Sequence, residues 1–178
     1  MAAYVDWRHL LQYTAEARSY VVGWLHANWV AGGPLRDELD ADLGARYDGF
    51  HGDEPAERKA ARSRALAMHP DEIVATLIAV DADGTPTGHV ILRRLGEEWE
   101  IKRLVVTEAA RGRGIARTLM GAALDRARAG GADRVILQTG IPQPESVALY
   151  ESLGFTRIPV YEPYAETMPR SICFAYAF

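Results

Sequence analysis

The stretch Trp99–Ala116, WEIKRLVVTEAARGRGIA, reads as a β-strand, a short turn, and an arginine- and glycine-rich loop that opens a helix. That order builds an anion cradle. The first-turn N–H groups of a helix have no partners within the helix, and the helix dipole adds partial positive charge there. Gly112 and Gly114 carry no side chain, so a phosphate can come close to the main chain. Arg111 and Arg113 bring charge nearby. A phosphate-bearing ligand is the first expectation.

Working outward, the chain holds 178 residues, 48% hydrophobic and 25% charged. This is an ordinary globular mixture, long enough for one domain, residues 1–178, with its own core. The net charge of −4 gives no bulk attraction to nucleic acid or to an anionic membrane. Cys173 is the one cysteine, so no internal disulfide can form. No apolar run approaches the roughly 18 residues of a membrane span. The N-terminal MAAYVDWRHLLQY lacks a signal peptide's apolar segment. These features predict a cytoplasmic protein.

Residues 1–33 are the least legible. Arg18–Trp29 carries β-branched and aromatic residues suited to a strand near 19–25, and the same residues also fit a helix ending at Gly32-Gly33; the strand is the reading taken. Pro34 opens a helix with Leu35, Leu39, Leu43 and Tyr47 along one face. Glu57–Met68 is a second helix, ending before Pro70. The period then changes. Glu72–Val80 and Gly88–Leu95 flank the turn DADGTP and form a hairpin, with Trp99–Val106 as a third strand. Ile115–Ala129 is a helix stopped by Gly130-Gly131, and Arg134–Thr139 is a strand. Glu145–Leu153 is a short helix, and Phe155–Tyr161 with Ser171–Phe178 makes a final strand pair. The layout is α+β, a mixed sheet with one βαβ unit carrying the loop.

Three ligand classes compete for that loop. A dinucleotide fingerprint would want glycine where Arg117 stands, and a nucleoside-triphosphate loop would want Gly-Lys-Ser/Thr. Residues 111–116, RGRGIA, instead fit Gln/Arg-x-x-Gly-x-Gly/Ala, and Ser146–Phe155, SVALYESLGF, fits A-x-x-L-Y-E-x-x-G-F. On these two motifs the chain resembles the GNAT superfamily of N-acetyltransferases, from about Leu35 to the C-terminus. The resemblance implies a mostly antiparallel mixed sheet flanked by helices, with a central parallel strand pair, Glu100–Val106 and Arg134–Thr139, that splays apart. It implies acetyl-CoA as co-substrate. Pantetheine would pair with the strand edge at Leu104, Val105 and Val106. The diphosphate would rest on main-chain amides of Arg113, Gly114, Ile115 and Ala116, within the loop begun by Arg111 and Gly112. Many members hold pantetheine with an asparagine before the fourth helix; here Gln143, between Pro142 and Pro144, offers an amide on a longer arm.

Acetyl transfer to an amine asks for a proton acceptor at the amine and a donor at the departing thiolate. The resemblance places the acid at Tyr150 and a general-base glutamate at Glu100. Tyr150 also reads as a packed helix residue. Glu100 shares a strand face with Lys102, and an ion pair there would make it a poorer base; a structural or substrate-binding carboxylate is the other reading. His89 is a second base candidate. His9, His26, His51 and His69 lack metal-ligand spacing, and no metal is expected. The acceptor, a small-molecule or peptide amine, would meet Leu35–Met68 and Pro159–Pro169, where Tyr161, Glu162, Tyr164 and Glu166 suit an ammonium group. Many members of the superfamily dimerise, so a homodimer is compatible with the resemblance. The rival reading is a catalytically silent acyl-CoA-binding module. A nucleic-acid binder using Arg111, Arg113, Arg117, Arg126 and Arg128 is a third.

Overall fold

The computed structural model describes residues 20–25, 33–50, 52 and 54–178. The elements run β1 (Tyr20–Leu25), α1 (Gly33–Tyr47), α2 (Ala56–Leu66), β2 (Ile73–Asp81), β3 (Pro86–Leu95), β4 (Glu98–Val106), α3 (Ile115–Ala129), β5 (Arg134–Thr139), α4 (Pro144–Ser152), β6 (Thr156–Ile158), α5 (Tyr164–Thr167) and β7 (Ile172–Ala177). The ambiguous segment 18–29 is a strand where it is described: β1 pairs antiparallel with β2. Residues His9, His26 and His51 lie outside the described residues.

The strands form one sheet in the order β1-β2-β3-β4-β5-β7-β6. Alternation along the strands sends their apolar residues to two sides. Leu77, Val90, Leu92 and Ile101 pack under α3 and α4 with Leu119, Met120 and Tyr150. Ile78, Val80 and Val105 meet Leu35 and Leu39 of α1 on the other side. Gly88 sets the fit of α3 on the sheet. A Cβ there would stand 2.9 Å from Ile115 Cγ2 and 3.0 Å from Leu119 Cδ1.

The parallel pair is β4 with β5. It holds only from Trp99↔Val135 to Ile101↔Leu137, although β4 runs on to Val106 and β5 to Thr139. Past Ile101 the strands part, leaving facing main-chain edges. A bulge in β4 accompanies the parting. Ile91 pairs with Lys102, but His89 pairs with Val105, so Arg103 and Leu104 oppose Val90 alone. Arg103 takes φ 56°, a left-handed conformation uncommon for arginine.

His89 secures the bulge. Its Nδ1–H donates to the carbonyl oxygen of Arg103 at 2.9 Å, and the ring is 0% exposed. Burial pushes its pKa down to about 4; the hydrogen bond to Arg103 opposes the fall, and the Arg36 and Arg103 charges add to it. The base candidate read from the sequence is thus a neutral, enclosed ring. As pH falls below about 6.5 the unfolded chain takes up this proton, and the folded chain does so only near 4. The stabilisation is complete above about pH 6.5 and is lost toward pH 4, at most about 3 kcal/mol. His89→Asn keeps an N–H donor and removes the titration. Its urea midpoint should fall less steeply from pH 6.5 to 4 than the wild type's; parallel profiles would refute the assignment.

Candidate active site

A cavity of about 700 Å³ opens where β4 and β5 separate. Lys102, Arg103 and Leu104 of β4 form one wall, and Gln138, Thr139 and Gly140 the other. Leu39, Leu43 and Tyr47 of α1 cover it, Tyr150 of α4 reaches it from below, and Thr167–Ser171 close the far end. Tyr47 lies hard against the β5–α4 turn, where a Cβ on Gly140 would clash with its hydroxyl at 1.8 Å. Arg46 reinforces this closure through Asp42, Glu145 and the carbonyl oxygen of Pro142.

The loop after β4 has the predicted form. Residues Glu108–Ala110 make one 3-10 turn, and Gly112 and Gly114 both take φ 78°. Gly114 is the N-cap residue of α3, with no side chain to occupy the first-turn N–H groups. The two loop arginines differ. Arg113 grips Asp81 at the end of β2 through two bonds of 3.0 and 2.6 Å, so its side chain ties the loop to the sheet while its main chain remains in the cradle. Arg111 is exposed, with Nε 3.4 Å from the carbonyl oxygen of Val106.

Tyr150 is 7% exposed and packs against Phe155 and Phe174. Burial pushes its phenol well above the ordinary tyrosine value, so it stays protonated. Its hydroxyl has no hydrogen-bond partner among the described residues, and the side chain lines the cavity. Gln143 is the N-cap residue of α4. Its Oε1 accepts from Thr139 Oγ1 at 3.3 Å, leaving the amide N–H groups without a partner among the described residues.

Glu100 sits differently from the sequence picture. It is 0% exposed and its ion pair is with Arg93, directly opposite on β3, at 2.6 Å. Lys102 donates instead to Gln138 Oε1 at 3.3 Å and lies over the Tyr164 ring at 4.6 Å. The other Glu100 oxygen accepts from Tyr161 at 2.8 Å and Tyr164 at 2.9 Å. Arg93 also reaches Glu72, the carbonyl oxygen of Ala67 and Tyr164. This cluster fastens the end of α2, two strands and the β6–β7 loop together.

Of the expected acceptor wall, Leu35–Met68 and Pro159–Pro169, the cavity takes Leu39, Leu43, Tyr47 and Thr167–Pro169 among others. Tyr161 and Tyr164 donate to Glu100, and neither they nor Glu162 and Glu166 line the cavity. The stretch that does is Thr167–Ser171. Lys102, Gln138 and Arg170 were not singled out from the sequence. Lys102 carried a signal: it follows Glu100 by two on one strand face, at the end of the pairing with β5. Among the described residues no group of three or more His, Cys, Asp and Glu side chains is placed to hold a metal, and no helix is long and apolar enough to cross a membrane.

Residues 35–155 match the acetyltransferase (GNAT) family. The chain is 33% identical over 132 residues to the IAA acetyltransferase of Azospirillum brasilense, covering 73% of this chain and 80% of that one. It is 34% identical over 131 residues to the N-alpha-acetyltransferase RimI of Mycobacterium tuberculosis, covering 71% and 74%. The fold is shared with the PaiA N-acetyltransferase of Thermoplasma acidophilum, solved in complex with coenzyme A. That similarity has a TM-score of 0.63 at 17% identity and covers 90% of this chain and 99% of that one. The matched span takes in the loop before α3, both splayed strands and the tyrosine of α4. The chain belongs to the GNAT family of acetyl-CoA-dependent N-acetyltransferases.

Proposed function

We propose that this protein transfers the acetyl group of acetyl-CoA directly to an amine of a small molecule or peptide in the cavity, with Tyr150 as proton donor. The observation that carries the reading is the buried phenol of Tyr150, without a hydrogen-bond partner among the described residues, on the wall of the opening between β4 and β5. The diphosphate of the coenzyme rests on the main-chain N–H groups of Arg113, Gly114, Ile115 and Ala116. Pantetheine lies along the unpaired β4 edge at Leu104, Val105 and Val106 as an added strand. The amide N–H groups of Gln143, without a partner among the described residues, meet it from the other side. Arg111 and Gly112 shape the approach.

The neutral amine attacks the thioester carbonyl carbon, a C–N bond forms and the C–S bond breaks. The leaving thiolate takes the phenolic proton of Tyr150, and the new ammonium gives up its own. A hydrogen bond to developing thiolate charge is stronger in a cavity that excludes water than in solution. We assign Glu100 a positioning role, supported by its three bonds and its place off the cavity wall.

Tyr150→Phe tests the donor. The hydroxyl has no partner among the described residues, so stability should hold or rise, and acetyl-CoA affinity should be retained. The kcat for thiol release should fall about 100-fold, the lower range for a positioned proton donor. An unchanged kcat in the folded variant would remove Tyr150 from the chemistry.

A further inference from the structure

The acceptor end of the cavity is cationic, although the chain as a whole is acidic. Three of its cations have carboxylate partners: Arg58 and Arg62 share Glu54, and Arg103 pairs with Asp40. Lys102 has no such partner among the described residues. Its one neighbouring carboxylate, Glu100, is already bound by Arg93 and two tyrosines. Lys102 is 7% exposed and lines the cavity. Its sole hydrogen bond among the described residues is the 3.3 Å contact to Gln138, and an ammonium has three donors. Arg170, also on the wall, is stacked on Phe50 at 4.6 Å and has no carboxylate partner among the described residues.

From this placement we infer that the acceptor carries an anionic oxygen group close to its amine, and that Lys102 receives it. The inference rests on the acetyl-transfer reading above and narrows its substrate class to amino-acid-like amines, with a carboxylate or a phosphonate in the anionic position. The coenzyme's own phosphates do not explain this cation. Their cradle follows Val106, beyond the bulge at Arg103 and four residues along β4 from Lys102. Lys102 marks the other end, next to the last β4–β5 pair at Ile101. Burial pushes its pKa down to about 8; Glu100 opposes the fall, and Arg93 and Arg103 add to it. A desolvated ammonium of this kind gains more from an incoming anion than a solvated one.

The test uses matched amines that differ in one group. These are an α- or β-amino acid, its carboxamide, its decarboxylated amine, and the corresponding aminoalkylphosphonate. Thiol release is measured at saturating acetyl-CoA. The wild type should favour an anionic member over its carboxamide by ~30-fold or more in kcat/KM. A preference for the carboxylate or the phosphonate identifies which anion fits. Lys102→Met should collapse that ratio toward one through KM, with a melting temperature at or above the wild type's, since a buried charge is removed. Equal use of carboxylate and carboxamide by the wild type would overturn the inference. So would a ratio that survives in Lys102→Met, or failure of every anionic member to turn over while acetyl-CoA binds. A wild type that does not bind acetyl-CoA would overturn this inference together with the reading beneath it, and a direct coenzyme titration separates the two failures.

Discussion

Gly114→Val is expected to weaken coenzyme A binding at least ~100-fold while the chain stays folded. Gly114 caps α3 at φ 78°. A β-branched residue is strained in that region by about 1–2 kcal/mol. Relieving the strain turns the peptide planes at 113–115 and disperses the N–H groups proposed to hold the diphosphate. Hydrogen bonds to a charged group contribute about 1.5–3 kcal/mol each, so misaligning two accounts for the hundredfold loss. The helix itself should survive, because Ile115, Leu119, Met120 and Ala123 remain packed in the core. Gly112→Ala makes the contrast. A Cβ there meets nothing within 4 Å, so only its positive φ resists, and a loss near tenfold is expected. Calorimetric titration with coenzyme A, beside thermal melts, reads both. Wild-type affinity in a folded Gly114→Val protein would move the diphosphate elsewhere.

The cradle was legible because its determinants are contiguous. Two glycines, the strand before them and the helix after them lie within 18 residues, and each follows local rules. The same holds for Tyr150, fixed in α4 by its own motif, and for the strand pair whose splay the family resemblance implied. What the sequence did not yield depends on pairing across strands. Alternation alone put Lys102 beside Glu100. The register of the β3–β4 hairpin, set by the tight turn at Gly96-Glu97, puts Arg93 opposite instead, and the closer group took the ion pair. Tyr161 and Tyr164 arrive from more than 60 residues away, through a loop with a cis Glu162–Pro163 bond and the single turn α5. No local period announces that loop's path, so the bonds its tyrosines make to Glu100 had no signal in the sequence. The bulge at Arg103 was hidden for a similar reason. Its signal is a register shift against β3, and its anchor is His89, 14 residues earlier.

That cluster makes the second large prediction. Glu100→Ala should cost about 3–5 kcal/mol of stability, because it strands a buried guanidinium and leaves the buried Tyr164 and half-buried Tyr161 phenols without this acceptor. Among the described residues Arg93 would keep one carboxylate, Glu72, which is 34% exposed, beside its bonds to Ala67 and Tyr164. Glu100→Gln preserves shape and still accepts from the tyrosines, but its amide faces a second donor in Arg93, so a smaller loss of about 1–3 kcal/mol is expected. Joint replacement, Arg93→Met with Glu100→Met, should recover much of the alanine variant's deficit, since an apolar pair of similar volume avoids both desolvation costs. Activity separates positioning from base chemistry. If Glu100 holds the sheet and loop in place, folded Glu100→Gln retains kcat within a few fold, and its pH–rate profile keeps the wild-type acid limb. A general base removed outright would lower the rate by about 100-fold or more and delete that limb. Urea unfolding and kcat per folded molecule on the same samples decide between them. Near-native stability combined with a hundredfold slower turnover in Glu100→Gln would return this carboxylate to the reaction itself, and with it the problem of how a proton reaches a group shut away by Arg93, Tyr161 and Tyr164.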